Sequence, residues 1–374
     1  MSIPERIYLS PPHMSGKELE FIKKAFESNY IAPLGPMVDE LEKSVCEYTG
    51  YPYAVALSSG TAALHLALLS IGIKPNDEVW ASSLTFIGSV SPITFCGAIP
   101  SFVDSSFNDW NIDVDLLEES LKKAKKNNIL PKALIVTDLY GQACDYDQLI
   151  EVTNAFSITL ISDAAESLGS SYKKSKCSTD IAAFSFNGNK IITSSGGGML
   201  VSKDESLIKY ARYLSQQARD ETPYYQHSVI GYNYRMSNIS AAIGLAQLDV
   251  LDKRVQKKKE VFEYYKENLA NIEEIKFMPV SKFGNPNYWL TVITIDPESG
   301  LSPEALRVKL EEYNIESRPL WKPMHKQPVF SHNTMYGGEV SEKLFETGLC
   351  LPSGTALSRV QQDKVIEIIV KCLR

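Results

Sequence analysis

The sequence contains few cysteines, and none of them lie close together. The six are scattered along 374 residues, at positions 46, 96, 144, 177, 350 and 372, and no C-x-x-C pair occurs. Closely spaced cysteines are the usual sign of a disulfide framework or a zinc site. Their absence argues against both kinds of site. We therefore expect no metal site and favour a reducing, cytoplasmic setting.

Long hydrophobic runs are also missing. The most apolar helical stretch, residues 62–73, is too short to span a bilayer and contains His65. The first residues show no apolar run of the signal-peptide type. We expect a soluble protein that has no membrane partner.

The chain has no excess of positive charge. It carries 38 basic and 45 acidic residues, a net charge of −7, which argues against nucleic acid as the main partner. Lysine runs at 122–126 and 257–259 lie in helical-looking stretches and are interpreted as solvated faces. The length exceeds what one core usually supports, so a large domain and a smaller one are expected.

Short β-rich runs alternate with helical stretches between residues 54 and 205. This pattern predicts an α/β fold with a mostly parallel sheet covered by helices, and ligands in such sheets gather at the carboxyl ends of the strands. Residues 240–268 are predicted to form one long helix. We place a domain boundary near residue 255, with a large domain at 1–255 and a smaller α+β domain at 256–374. The predicted strands lie in AVALSS, EVWASSL, ALIVTDLYG, ITLISD, AAFSFN, GGMLVS and LTVITID.

Three places along this pattern could carry chemistry. Residues 58–62 (SSGTA) mark a change from strand to helix, where free N–H groups can bind a phosphate, although a simple helix cap is the plainer interpretation. Asp163 ends an apolar strand and could cap a helix, bind a metal or hold a protonated ring nitrogen. Lys190 lies between an apolar strand and three glycines, where partial burial would make its amine a nucleophile, and a structural lysine is the alternative.

Together these parts suit the cofactor pyridoxal phosphate (PLP). Its phosphate needs N–H donors, its pyridine nitrogen needs a carboxylate, and its aldehyde needs an amine. Lys190 would attach the aldehyde and later move a proton as general base and acid. A nicotinamide-binding enzyme is a weaker alternative, because no G-x-G-x-x-G follows the first strand.

Six motifs in order make the sequence resemble the DegT/DnrJ/EryC1/StrS family of sugar aminotransferases. They are SGTAALHLAL, TFI, LYGQACD, DAAESLGSSY, AFSFNGNKIITSSGGGML and IGYNYRMSNISAAIGLAQL. The resemblance covers nearly the whole chain and implies the fold-type I PLP-dependent scaffold. It also implies a homodimer with shared active sites.

The resemblance implies roles for individual residues. Lys190 would be the catalytic lysine that carries the cofactor, and Arg235 a contact to the acidic donor or the nucleotide sugar, with an interface salt bridge as its alternative. The implied cofactor-binding residues are Gly60, Thr61 and Ala62 with Ser185 at the phosphate, Phe86 and Ala165 on the two ring faces, Asp163 at the ring nitrogen, Glu166 at the ring hydroxyl, Lys190 at the aldehyde, and Asn233 from the neighbouring subunit.

A further resemblance concerns the substrate. ESRPLWKPMHKQPVF and GLCLPSGTALS are similar to the subgroup of bacillosamine-type pathways that aminates C4 of UDP-linked 4-keto-6-deoxy-N-acetylhexosamines with glutamate. Arg318, Lys322 and His325 lie there and could meet the nucleotide sugar. A surface loop for Lys322 and a packed position for His325 are the alternatives.

Competing reactions and one departure bear on this interpretation. Relatives that dehydrate at C3 carry a His where this chain has Lys190, which favours amino transfer. Two further acceptors, a dTDP-linked ketosugar and GDP-4-keto-6-deoxymannose, are compatible with the same chemistry, and the fold is also compatible with a non-catalytic regulator.

The family usually has a longer segment between Tyr172 and Asp180, so KKSKCST is expected to form a trimmed turn.

Overall fold

Residues 6–373 are described here from a computed structural model of the chain. The helices are α1 (Glu18–Glu27), α2 (Pro36–Thr49), α3 (Gly60–Ser70), α4 (Ser91–Phe95), α5 (Val114–Lys126), α6 (Tyr146–Ala155), α7 (Glu205–Ser215), α8 (Asn238–Leu248), α9 (Leu251–Asn268), α10 (Pro303–Glu312), α11 (Glu339–Thr347) and α12 (Arg359–Leu373). The strands are β1 (Tyr53–Leu57), β2 (Glu78–Ser82), β3 (Ile99–Val103), β4 (Ala133–Thr137), β5 (Thr159–Asp163), β6 (Ser171–Tyr172), β7 (Ile181–Ser185), β8 (Gly198–Ser202), β9 (Ile275–Phe277), β10 (Gly284–Asn285), β11 (Thr291–Ile295), β12 (Arg318–Pro319), β13 (Met335–Tyr336) and β14 (Gly348–Leu351).

The main sheet has eight strands in the order β1-β8-β7-β5-β4-β2-β3-β13. Strand β8 is antiparallel to both of its neighbours, and every other pair is parallel. Strands such as β4 are buried along their full length, as expected for a parallel sheet with helices on both faces. The predicted α/β fold with a mostly parallel central sheet is confirmed.

Helix α3 is deeply buried. Residues on all of its sides are apolar and buried, because it packs between the main sheet and helices α4 and α7. A helix that is apolar all round belongs inside a large domain. Its first turn is therefore held rigidly against the end of the sheet.

A second, antiparallel sheet has the order β12-β14-β11-β9 and is packed with α9, α10 and α12 around its own apolar core. The chain also crosses between the two sheets. Ile7 forms a bridge with Ile315, and β13 adds a strand to the main sheet. The division near residue 255 stays a prediction.

Two local predictions were wrong. The single helix predicted for 240–268 is broken at Asp249 and Val250, where α8 ends and α9 begins, although no Gly or Pro occurs there. Lys258, interpreted as part of a solvated face, is 2% exposed, because the helix face that carries it packs inward. Strand β3 was not predicted; its sequence IPSFV contains Pro100, which argues against a strand inside a sheet.

The shortened segment after Tyr172 forms a tight turn, closed by mutual backbone hydrogen bonds of 2.9 Å between Tyr172 and Ser175. Strand β7 follows this segment in register with its neighbours. Within residues 6–373, no helix combines the length and the apolar character that crossing a membrane would require.

Candidate active site

A cavity of about 260 Å³ lies at the carboxyl edge of the main sheet. Its walls come from segments that are far apart in sequence, since parallel strands end at the same edge. The predicted cofactor residues that line it are Gly60, Thr61, Phe86, Asp163, Ala165, Glu166, Ser185 and Lys190. The structure thus brings together all of the predicted cofactor residues except Ala62 and Asn233.

The start of α3 forms one end of this cavity. The hydroxyl of Ser59, the N-cap, accepts a hydrogen bond of 3.0 Å from the amide of Ala62, so that amide is already engaged. Gly60 and Thr61 face the cavity. A Cβ at Gly60 would lie 3.1 Å from Cβ of Ser185, at the end of β7. These small residues leave the N-terminus of the helix open to an anion.

Asp163 is buried at the carboxyl end of β5. Its carboxylate accepts a hydrogen bond from the hydroxyl of Ser89 and another, of 3.0 Å, from the amide of Ala165. Burial raises the pKa of this carboxyl above its ordinary value. A cation beside Asp163, such as a protonated ring nitrogen, would favour its charged form. The bond to Ala165 also stabilises the turn after β5, so capping and cofactor binding are compatible.

Lys190 lies in the loop after β7, and its side chain is 11% exposed. Its Nζ lies 3.7 Å from Oε1 of Glu166 and 4.0 Å from the centre of the Trp289 ring. The loop returns to β8 through Gly198, where a Cβ would overlap the carbonyl group of Ser59. This close approach holds the lysine loop against the start of α3.

Glu166 is buried beside the lysine. Its carboxylate accepts hydrogen bonds from the amide of Tyr140, at 2.7 Å, and from the indole N–H of Trp321, at 3.2 Å. Burial raises the pKa of the Glu166 carboxyl to about 7, although the nearby Lys190 opposes that shift. Glu166 therefore exchanges a proton near neutral pH. Its bond to the ring hydroxyl of the cofactor stays a prediction.

Sequence reasoning missed several residues of the cavity. Ser89 joins Asp163 to a hydroxyl network with Thr85, whose Oγ1 lies 2.7 Å from the Ser89 hydroxyl. Trp289 and Trp321 also line the cavity, and their rings are nearly parallel at 6.5 Å. The tryptophans in NPNYW and RPLWKP were visible as large aromatics in polar segments, but nothing local indicated that these segments return to the main sheet.

A larger cavity of about 780 Å³ adjoins the first and shares Asn189, Trp289 and Trp321 with it. Arg318 and Lys322, both predicted to meet the substrate, line this second cavity. Both side chains are exposed, and the Arg318 guanidinium forms a salt bridge of 2.9 Å with Glu316, which lines the same cavity, so the wall carries the positive charge of Lys322 beside this ion pair.

His325 lies outside both cavities. Its Nδ1 is 2.7 Å from the hydroxyl of Ser83 and its Nε2 is 2.9 Å from Glu342. The side chain is held between these partners, a position that agrees with the packed alternative, and a contact of His325 with the nucleotide sugar stays a prediction.

Arg235 is also turned away from the lysine cavity. Its guanidinium donates to Glu42 at 2.9 Å and to the carbonyl of Ala56 at 3.1 Å, and its side chain is only 4% exposed. Its salt bridge therefore lies within the chain. Asn233, two residues earlier, is exposed and lines a separate surface cavity. Its contact with a neighbouring subunit stays a prediction.

The chain matches the DegT/DnrJ/EryC1/StrS aminotransferase family over residues 12–370. It belongs to this family. EpsN of Bacillus subtilis (strain 168), named as a pyridoxal phosphate-dependent aminotransferase, is 48% identical over 372 residues, covering 98% of this chain and 95% of EpsN. The GDP-perosamine synthase of Caulobacter vibrioides is 35% identical over 376 residues, covering 100% of both chains.

A solved structure agrees with this membership. The PLP form of Spr1654 from Streptococcus pneumoniae, described as a sugar aminotransferase, has a TM-score of 0.89 at 28% identity and covers 99% of this chain and 98% of its own. The protein is therefore a PLP-dependent aminotransferase on the fold-type I scaffold, as predicted.

The residues of the lysine cavity fit PLP. The open helix start at Gly60 suits a phosphate, and a side chain there would crowd Ser185. The buried carboxylate of Asp163 is bonded to one hydroxyl and one amide, and suits a protonated ring nitrogen. Lys190 supplies the amine, with its Nζ 3.7 Å from the carboxylate of Glu166.

Proposed function

We propose that the protein transfers an amino group from glutamate to C4 of a UDP-linked 4-keto-6-deoxy-N-acetylhexosamine, giving UDP-4-amino-4,6-dideoxy-N-acetylglucosamine. One observation carries most of the proposal. The cavity with Lys190, Asp163 and Glu166 adjoins a larger cavity lined by the cations of Arg318 and Lys322. A cofactor site next to a wide cavity that presents two cationic side chains and one carboxylate, that of Glu316, suits a substrate with a reacting sugar and a diphosphate.

The chain's own residues divide the chemistry of the cofactor site. Asp163 would keep the ring nitrogen protonated, and the first turn of α3 with Ser185 would anchor the phosphate. Lys190 would hold the aldehyde end of the cofactor, and its amine would act as the general base and acid that moves the α-proton. When bound, PLP supplies the electron sink that makes this proton transfer possible.

The substrate would extend from the first cavity into the second. A cavity of about 260 Å³ cannot hold a cofactor and a whole nucleotide sugar, whereas the adjoining cavity adds about 780 Å³. Arg318 and Lys322 would attract the diphosphate, and the shared rings of Trp289 and Trp321 would border the sugar.

A homodimer is part of the proposal. Asn233 does not line the Lys190 cavity of its own chain, and it is exposed at a surface that also presents Leu34 and Tyr225. A second copy of the chain on this surface would bury these apolar side chains. We propose that Asn233 then reaches the phosphate in the partner's site.

A GDP-linked ketosugar is the second candidate substrate. It is favoured by the 35% identity, over the full length of both chains, to a protein named GDP-perosamine synthase. The UDP-linked sugar is favoured by the segments ESRPLWKPMHKQPVF and GLCLPSGTALS, the first of which contains Arg318 and Lys322. The two candidates differ in the nucleotide and in the acetamido group on the sugar.

The test is a panel of three acceptors, each with glutamate: the UDP-linked 4-keto-6-deoxy-N-acetylhexosamine, a dTDP-linked ketosugar and GDP-4-keto-6-deoxymannose. Release of 2-oxoglutarate and the mass of the aminated sugar are measured. We expect the highest kcat/KM with the UDP-linked sugar. Turnover of the GDP-linked sugar alone would establish the second candidate, and no turnover of the UDP-linked sugar would overturn the proposal.

A further inference from the structure

Lys258 is the buried member of the lysine run at 257–259. Its side chain is 2% exposed, while Lys259 next to it is exposed and pairs with Glu263 at 3.7 Å. Among residues 6–373 no carboxylate forms an ion pair with Lys258. An unpaired ammonium is costly to bury, and an apolar side chain would fill the same position at lower cost. Its presence therefore calls for a reason other than packing.

The hydrogen bonds of Lys258 lead to the loop that carries Lys190. Its Nζ donates to the hydroxyl oxygen of Ser10 at 3.0 Å and to the backbone carbonyl of Trp289 at 2.8 Å. The Ser10 hydroxyl and the Trp289 indole N–H then both donate to one atom, the carbonyl oxygen of Asn189, at 3.2 and 2.8 Å. Asn189 is the residue directly before Lys190.

The same arrangement sets the surroundings of the Lys190 amine. The Trp289 ring lies 4.0 Å from Nζ of Lys190, so the residue that Lys258 holds through its backbone also borders the reactive nitrogen through its side chain. Ser10, Trp289 and Lys258 come from three distant parts of the chain. A single buried amine therefore joins the N-terminal segment, the segment before β11 and helix α9 around the lysine loop.

We propose that Lys258 is a positioning residue for Lys190: it holds Ser10 and Trp289, which together fix the Asn189 carbonyl and the ring beside the Lys190 amine. The inference rests on the proposed role of Lys190 as the lysine that binds PLP. Lys258 itself lines neither the cofactor cavity nor the adjoining larger cavity.

The protonation of Lys258 is compatible with this role. Burial lowers the pKa of its amine to about 7, with a smaller contribution from the nearby guanidinium of Arg254. A neutral amine still has two N–H donors, which is the number of acceptors that it serves here. The two hydrogen bonds can therefore persist without a full buried charge.

The test compares Lys258→Met with Lys259→Met in the PLP-loaded enzyme. Both variants remove one lysine from the same helix, but only the first removes the donors to Ser10 and Trp289. Three quantities are measured: the pH midpoint of the change in visible absorption of the bound cofactor, and kcat and KM for glutamate. The melting temperature of the PLP-free protein reports any general loss of stability.

For Lys258→Met we expect the midpoint to move by about half a pH unit or more. We also expect kcat to fall on the order of tenfold, because misplacing a reacting group slows chemistry more than binding, with KM changed less than about threefold. Lys259→Met should match the wild type in the pH midpoint, in kcat and in KM. Identical midpoints and kcat in the two variants, whatever their melting temperatures, would overturn the inference.

A second variant covers the case in which Lys258→Met does not fold. Ser10→Ala removes one of the two donors to the Asn189 carbonyl and should move the midpoint by a smaller amount, and an unchanged midpoint would also count against the inference. Borohydride reduction of the wild type followed by peptide mass spectrometry separates this from the proposed function. A cofactor label absent from Lys190 defeats the proposed function, whereas a label at Lys190 with unaltered variants defeats only the role of Lys258.

Discussion

Glu166 and Lys190 face each other across the floor of the active site, with Oε1 of the first 3.7 Å from Nζ of the second. Their side chains are 3% and 11% exposed. They follow β5 and β7, which are neighbours in the sheet with Asp163 opposite Ala183. The parallel pairing of these two strands brings the carboxyl and the amine to one edge of the sheet. The positive charge of Lys190 therefore acts on the pKa of Glu166.

Replacing Glu166 by Gln should change how stability depends on pH. The pKa of this carboxyl is about 7 in the folded protein and about 4.5 when unfolded, so the folded state binds the extra proton between these values. The free energy of unfolding of the PLP-free wild type should therefore fall as pH rises from about 4.5 to about 7. In Glu166→Gln this part of the fall, on the order of 2 kcal/mol, should be missing.

Urea unfolding of the PLP-free protein at several pH values between 5 and 8 measures this difference. The control is Glu119→Gln, which removes a carboxylate from an exposed ion pair with Lys123. If the free energy of unfolding falls with pH by the same amount in Glu166→Gln and in Glu119→Gln, Glu166 does not have a raised pKa in the folded protein.

Lys190→Ala should abolish amino transfer, because the variant lacks the amine that binds the aldehyde and moves the proton. General acid–base catalysis alone contributes roughly a hundredfold or more to such rates. The matched control is Lys203→Ala, at an exposed lysine that pairs with Asp180 at 3.0 Å. Steady-state release of 2-oxoglutarate gives the comparison, and substantial turnover by Lys190→Ala would contradict the assignment.

Asp163→Asn should retain the shape of the site and lose the negative charge. Leaving a buried cation without its partner costs about 3–5 kcal/mol, which corresponds to a loss of at least about a hundredfold in rate. The corresponding change at an exposed carboxylate, Asp180→Asn, should leave kcat/KM near the wild-type value. Nearly normal transfer by Asp163→Asn would mean that its role is to cap the turn at Ala165.

Arg318→Ala and Lys322→Ala should each raise KM for the nucleotide sugar. The side chains are exposed, so each contact to a diphosphate is expected to be worth about 1 kcal/mol, a factor of roughly five, with kcat little changed. Lys326→Ala is the control, because this lysine pairs with Glu342 at 2.9 Å and lines neither cavity. An equal rise in KM for all three variants would point to general electrostatic attraction in place of a defined subsite.

The shared active site can be tested by mixing two inactive variants. If Asn233 serves the partner's site, a dimer of one Asn233→Ala chain and one Lys190→Ala chain contains one site with both residues intact. Random reassortment should then restore activity in about one quarter of all sites. Unfolding and refolding the variants together, and separately as controls, provides the measurement. No recovery in the mixture would exclude the proposed contribution of Asn233.

Part of the site could be predicted because several of its residues lie at or just after the ends of apolar strands, which can be recognised in the sequence. Asp163 ends one apolar strand and Lys190 follows another, so strand periodicity and the rule that ligands gather at carboxyl ends made both candidates, and the family resemblance then implied their roles. Trp289 and Ser89 could not be found in this way. Each reaches the site through a long-range contact, and no local pattern reports which distant segment will pack against a given strand end.

The break between α8 and α9 and the burial of Lys258 have the same cause. Residues 249–250 contain no helix breaker, and a lysine among lysines is usually solvated, so local propensity predicts one continuous helix with an exposed face. Packing overrides this propensity where Leu251 and Lys258 turn into the interior.

The sequence by itself determined the alternation of strands and helices and therefore the α/β fold class, because this follows from local periodicity, and its motifs carry the family resemblance that implied the PLP scaffold and the roles of Lys190 and Asp163. Only the tertiary structure decided which cavity Arg318 and Lys322 line, that Arg235 and His325 are enclosed by partners in the same chain, and that Lys258 is joined to the Lys190 loop. Those outcomes depend on contacts between residues far apart in the chain, and the residues of one short segment do not determine which distant segment will pack against it.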